Sequence, residues 1–452
     1  MLYRVYYFIF CCLLLSVSCK QLIQVGSPPD EIPDESVYTD DRLADAAVAN
    51  LYYQLSDYFP GNILPVINGM TADELTTLNS NQLRYTNNAI PSEDMQLLSC
   101  WRRIYQVIYG ANAILEGIET HTGLSTGKAR QLQGEAKFLR AFCYYYLVNC
   151  WGEVPLITTI DVNQTALAPR MPVDSVYKQI TSDLYYSSLL LAPYYVTGEK
   201  VRANKWSALA LLARVYLQRG RWEQAIEMSS AVINSGEYTP LIAADSVFLR
   251  NSRPAILQLW RDEGYTFIGQ TFLPSAATGS LSFYPFTADF MQTFESGDGR
   301  MRSWTSSFVY GGSLYYNACK YRNRTAALPG REEYVMVLRI EEQFLIRAEA
   351  AARLKNTTSA IADLNVLRSR AGLQPLSADT MRASVLSYVE RERRVELFTE
   401  WGDRWISLSR TGRLDTIMKI LKPGWKMTAA LYPIPQEERN RNPNLTQNDG
   451  YQ

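Results

Sequence analysis

The chain has 452 residues, 45 Lys plus Arg against 45 Asp plus Glu, and a single histidine. A zero net charge supplies no field for a phosphate backbone or an acidic bilayer, so nucleic acid is excluded as an expected partner. The lone His121 sits in a polar turn and gives no basis for His-dependent catalysis, and the seven cysteines show neither a CxxC nor a Cys/His zinc spacing, so no metal or cofactor is expected.

Residues 1–18 place one early charge, Arg4, before an apolar run from Val5 to Leu15 and the small residues Ser16, Val17 and Ser18. This is a secretory signal peptide pattern. The run is shorter than the ~20 residues of a membrane span, and no later stretch reaches ~18 uninterrupted apolar residues. Cys19, directly after small residues, resembles the cleavage site of a bacterial lipoprotein, with Ser16 standing where a large aliphatic residue is usual. Acylation of Cys19 is expected to anchor the protein to a membrane, each buried CH₂ contributing ~0.8 kcal/mol. Residues 19–36, with Gly26-Ser27-Pro28-Pro29-Asp30 and Pro33, read as a tether.

From there apolar positions recur at helical spacing almost throughout, and the class is mainly α. Helices are predicted over Leu43 to Leu55, Met95 to Ile118 and Lys128 to Cys150, the last stopped by Gly152 and Pro155. Cys143 and Cys150 fall on that helix roughly 10 Å apart, beyond disulfide reach, and read as small buried residues. Ala213, Tyr216, Gly220, Ala225 and Val232 have the offsets of a tetratricopeptide unit, and Ala348 to Ala360 repeats the Ala213 to Ala225 spacing. Small residues there let two antiparallel helices approach, with Gly220 at the hairpin turn. The 128–150 helix is predicted to pair with 174–191 across an insertion. The organisation is therefore a helical half, 37–236, and a second half, 237–452, whose first part, 237–335, is irregular, Gly- and Ser-rich and aromatic. Its rings include Trp260, Phe283, Tyr284, Trp304, Tyr310, Tyr315 and Tyr316.

Several motifs then occur in a specific order. Gly134 to Ala141, Tyr144 to Val148 and Trp151-Gly152-Glu153-Val154-Pro155-Leu156 come first; Glu349-Ala350, Asn365, Arg368 to Ala371, Glu390 to Leu397 and Gly402-Asp403-Arg404-Trp405 follow. Tyr432-Pro433-Ile434-Pro435 and Asn442 to Asn448 end the series. In this order they make the chain resemble the SusD/RagB family along nearly its whole mature length. The resemblance implies a SusD-like fold, in which interrupted tetratricopeptide-like pairs form a right-handed scaffold with a loop-rich region packed on it. It also implies a non-catalytic surface protein that binds oligosaccharide, or peptide in RagB-like members. Such a protein sits on the exterior of the outer membrane and delivers its ligand to a SusC-like TonB-dependent transporter.

Glu392 and Glu396 share a helix face, and a carboxylate pair is what glycoside hydrolysis requires. Arg391, Arg393, Arg394 and Arg404 are near in sequence and are expected to hold both acids ionised, which favours ion pairs over a glycosidase. A third reading, a tetratricopeptide scaffold for a protein partner, rests on the helix pairs. A sugar offers apolar C–H faces and a polar rim, so its site needs exposed aromatic rings flanked by planar hydrogen-bonding groups. Two stretches could supply one: Asn68 to Asn88, with Asp73, Glu74, Arg84, Tyr85, Asn87 and Asn88, and a later set of Tyr284, Arg302, Trp304, Tyr310 and Tyr315.

Overall fold

The computed structural model describes residues 37–57, 63–274, 282–377 and 382–451. The signal peptide, Cys19 and the 19–36 tether lie outside the described residues. Helices dominate: α1 (Asp41–Asp57), α2 (Ile63–Thr71), α3 (Met95–Thr120), α4 (Thr126–Trp151), α5 (Val173–Leu190), α6 (Lys205–Gln218) and α7 (Trp222–Ile233). After the irregular region come α8 (Ile340–Arg353), α9 (Thr357–Ala371), α10 (Arg382–Leu397), α11 (Asp403–Arg410) and α12 (Leu414–Leu421). No described helix is long and apolar enough to cross a membrane.

Local chemistry sets where these helices begin. The Asp94 carboxylate accepts the N–H groups of Gln96 and Leu97, satisfying orphan donors at the start of α3. Asn204 and Ser207 bond reciprocally at the start of α6. The helices then stack in chain order, α3 on α4, α4 on α5, and so on through α9, with α10 against α8. The predicted pairing of the 128–150 helix with the next one is the α4/α5 contact. Ala213 and Ala225 cluster with Ile346 and Ala350 of the following pair, so the twelve-residue alanine offset does mark a helix crossing. Cys143 and Cys150 are free and buried.

The irregular region contains order that its sequence does not advertise. β1 (Ala255–Leu259) pairs antiparallel with β4 (Val335–Arg339), and every residue of both strands is buried. Between them β2 (Thr305–Tyr310) and β3 (Ser313–Ala318) form a hairpin. Its two-residue turn is Gly311-Gly312 with φ of 56° and 79°, the left-handed pair that a tight, right-twisted hairpin needs.

A buried ionic lattice joins this hairpin to the scaffold. Arg300, on the short helix Gly299–Trp304 that leads into β2, bonds Asp298, Glu392 and Glu396. Arg339 and Arg370 also bond Glu396, each at 2.5 Å, and Arg368 bonds Glu392 at 2.8 Å. Burial would raise the Glu396 carboxyl, but Arg370, Arg339 and Arg300 together hold it well below the usual carboxylate range. The acid pair is therefore structural, as expected, but its arginines are different ones. Arg391 faces Glu295, Arg393 bonds Asp403, Arg394 bonds Asp73 and Asp289, and Arg404 bonds Asp73 and Glu390.

Candidate ligand-binding face

The two stretches flagged in the sequence meet. The N–H of Thr76 bonds the carbonyl of Pro285, that of Leu78 bonds Phe283, and that of Thr287 bonds Glu74. The N–H of Phe286 in turn bonds the carbonyl of Tyr316 on β3. Residues 74–78, 283–287 and the hairpin thus form one continuous edge-to-edge surface held by main-chain bonds.

The hairpin carries rings outward from this surface. Phe308 and Tyr315 are cross-strand neighbours with ring centroids 5.7 Å apart and nearly parallel planes. Tyr310 pairs with Ser313 two residues further along that face and is 45% exposed. On the other face Val309 and Leu314 are 67% and 58% exposed. Phe283, on the adjacent segment, is 42% exposed, and Arg302 is exposed at the hairpin's root. Tyr284 is half-buried with its ring edge toward Phe272. Exposure of this many rings and aliphatic side chains on the hairpin and its neighbouring segment costs hydrophobic stabilisation unless something covers them, which makes this face a candidate binding surface.

Other predicted site residues are elsewhere or inside. Trp304 is a correction: its ring is fully buried, its indole N–H bonds the carbonyl of Ala244 at 2.7 Å, and Lys320 and Arg370 lie over its face at 4.9 and 5.1 Å. It is core and offers no platform. Asp73 is buried and bonded by Arg404 and Arg394; burial would raise its carboxyl, but these guanidiniums, Arg404 first, hold it below its ordinary range. Tyr85 is fully buried, and its hydroxyl donates to Gln96 or Asp94, while Arg84 pairs with Asp94 and covers the Tyr85 ring at 4.6 Å. Asn88 is buried between Thr71 and Lys422. All four are used in holding the scaffold. Asn87 is exposed, next to this structural group. The sequence candidates leave out the rings Phe283 and Phe308, together with Val309 and Leu314. The aromatic and β-branched run Phe308-Val309-Tyr310 directly before Gly311-Gly312 is the hairpin signal that points to them.

Glu74 lies beneath the face, 2% exposed. Burial, reinforced by the Asp73 charge beside it, pushes its carboxyl up to about 8. Of the two acids in the 73–78 stretch, Glu74 is buried and neutral and Asp73 is fully paired, and neither is placed to protonate or attack a ligand. Among the described residues no group of three or more His, Cys, Asp or Glu is arranged to hold a metal. A second surface, a groove of about 870 Å³ between α1 and α3, is lined by Asn50, Tyr53, Gln54, Arg102 and Tyr109. Trp260, 46% exposed, lines a neighbouring hollow that shares Asn50 and Tyr53.

A family model described as starch-binding and associating with the outer membrane matches residues 30–217, and the SusD family model matches residues 295–428. The chain belongs to the SusD family. Members of this family are binding proteins without catalysis. The chain is 26% identical to SusD-like protein P25 of Formosa agariphila over 247 residues, which span 52% of this chain and about half, 47%, of that protein. It is 26% identical to a SusD-like protein of Bacteroides ovatus over 446 residues, 86% of this chain and 79% of that one. The solved structure of a laminarin-binding SusD-like protein superposes with a TM-score of 0.76 at 24% identity, covering 91% of this chain and 99% of that one. The mainly helical architecture is thus the SusD-like fold.

Proposed function

We propose that this protein captures an oligosaccharide on the hairpin face and passes it to a SusC-like TonB-dependent transporter, from a lipid anchor at Cys19 on the exterior of the outer membrane. The observation that carries the binding reading is the outward ring set, Phe283, Phe308, Tyr310 and Tyr315, on main-chain segments fixed to a rigid helical scaffold. Aromatic faces meet the C–H faces of pyranose rings, and Arg302 with the hydroxyls of Tyr310 and Tyr315 meets the polar rim. The family description supports a glycan and the outer membrane, and the laminarin-binding relative supports a polysaccharide-derived ligand. The transporter partner rests on the family resemblance.

Calorimetric titration of the purified protein with a panel of α- and β-glucan oligosaccharides tests this reading. A binder should emerge from the panel, and each of Tyr310→Ala and Phe308→Ala should weaken it roughly 2- to 10-fold, as expected for the loss of one ~0.5–1.5 kcal/mol ring contact. Trp260→Ala and Tyr53→Ala, in the other surface, should leave the affinity unchanged. Loss of binding in those two variants with none at the hairpin would move the site to the α1/α3 groove. Binding of peptides with no response to any glycan would replace the ligand class.

A further inference from the structure

Behind the ligand face, α8, α10, α11 and α12 enclose two connecting hollows of about 350 and 310 Å³ that share Ser387, Glu390, Arg404 and Arg413. Arg353, Arg393, Arg404, Arg410 and Arg413 line the larger one, against only Glu349 and Glu390, a surplus of three positive charges. Counting the carboxylates that pair with the same arginines from behind the wall, Asp73 with Arg404 and Asp403 with Arg393, still leaves one. Glu342 also approaches Arg393, but it is already bonded through both oxygens by Arg214.

Two guanidinium N–H groups here have no acceptor. Nη1 of Arg393 is unpartnered although Arg393 is only 6% exposed, and Nε of the adjacent Arg394, which lines the smaller hollow, is also unpartnered. A charged donor left without an acceptor inside a protein is costly, and native structures seldom tolerate it. Water filling the hollows would not neutralise the excess charge of their walls. An oxyanion in the hollow does so, because it presents several acceptors to the guanidinium groups that line it, while the two sealed nitrogens would reach it only after a side-chain shift.

We propose that this channel is a binding site for a small oxyanion, with Arg393, Arg353 and Arg413 as its principal donors. Arg393 lines the inner wall, while Arg353 and Arg413, which pair with Glu349 and Glu390, reach in from the mouth, their side chains 36% and 49% exposed. The site also bears on the ligand face. Arg404 and Arg394 fix Asp73, whose carbonyl accepts the hydroxyl of Thr287, and Arg394 fixes Asp289. An anion in the channel therefore braces both segments that support the hairpin, 73–78 and 283–289. The anion group itself could come from a free inorganic ion or from an acidic sugar.

The test is calorimetry and thermal unfolding of the intact chain at constant ionic strength, with chloride replaced in turn by sulfate, inorganic phosphate and glucuronate. A saturable single-site heat and a saturating rise in the unfolding midpoint are expected. The double variant Arg353→Gln with Arg413→Gln should fold normally and bind the anion at least tenfold more weakly. Sulfate and phosphate binding without glucuronate assigns the site to free ions, and glucuronate binding of similar strength assigns it to an acidic sugar. A non-saturating response that is the same in wild type and double variant overturns the proposal, as does no heat with any of the three anions.

Discussion

Glu74→Gln gives a stability change whose sign and pH course follow from the structure. The Glu74 carboxyl is buried, its neighbours Arg404 and Arg394 are engaged by Asp73, and its acceptor receives only the Thr399 N–H at 3.4 Å. Its carboxyl titrates near 8 in the folded protein against an ordinary 4.5. Between those values the unfolded chain has released the proton and the folded chain keeps it. The folded state therefore binds more protons, so stability falls as pH rises through this window and levels off above about 8. At ~1.36 kcal/mol per pH unit the wild-type protein loses roughly 3 kcal/mol from this group between pH 4.5 and 7, and a little more by pH 8. Glutamine mimics the neutral acid and cannot titrate. The variant should match wild type near pH 4.5 and exceed it progressively at higher pH. Denaturant unfolding followed by tryptophan fluorescence at several pH values between 5 and 8.5 measures the difference directly, and subtraction cancels the other titrating groups. Parallel wild-type and variant curves across that range would refute the reasoning, because they would mean that Glu74 is already ionised in the folded state.

Trp304→Ala removes a fully buried ring and its hydrogen bond to Ala244, and should cost about 3–5 kcal/mol in denaturant unfolding while the folded fraction binds ligand with unchanged affinity; normal stability with lost binding would return Trp304 to the site. Gly402→Ala places a side chain on a residue with φ of 72° and drives its Cβ into Asn68, whose carbonyl oxygen accepts the Tyr432 hydroxyl. A penalty of about 1–2 kcal/mol for the left-handed backbone comes before any cost of moving Asn68, so the thermal midpoint of a chain this long should drop by about 1–2 °C or more, and an unchanged midpoint would refute both costs.

The helical scaffold was legible because its signals are local. A carboxylate at a helix start, a glycine at a hairpin turn and alanines twelve residues apart each report on a few neighbouring bonds. The buried strands β1 and β4 were not legible, since Ala-Ile-Leu-Gln-Leu and Val-Met-Val-Leu-Arg are short runs with no alternation to separate a strand from a piece of helix. Trp304 was misplaced for a related reason. Whether a ring in an aromatic-rich stretch is covered depends on Lys320, Arg370 and Phe398 arriving from elsewhere in the chain, and nothing beside Trp304 in sequence encodes that. The same limit explains the arginines of Glu392 and Glu396. Sequence proximity points to Arg391, Arg393, Arg394 and Arg404, but on a helix adjacent residues point away, and the partners come from the hairpin root, β4 and α9.

That exchange of partners explains why the acid pair of α10 resembles a catalytic pair in sequence. Glu392 and Glu396 lie on one face of α10 because they grip Arg300, and Arg300 sits four residues before Trp304 on the helix that runs directly into β2. The acids thus fasten the root of the hairpin, and the aromatic tip beyond it is left out of the core. Removing one acid would take a carboxylate from a lattice in which Arg300 keeps Asp298 and the remaining glutamate, so the root is held by several ion pairs at once. Tip residues such as Tyr310, Val309 and Leu314 make no such commitment and can change without unsettling the scaffold. Rigid anchoring of an exposed aromatic tip fits the proposed ligand face, because the root stays fixed while side chains at the tip are exchanged.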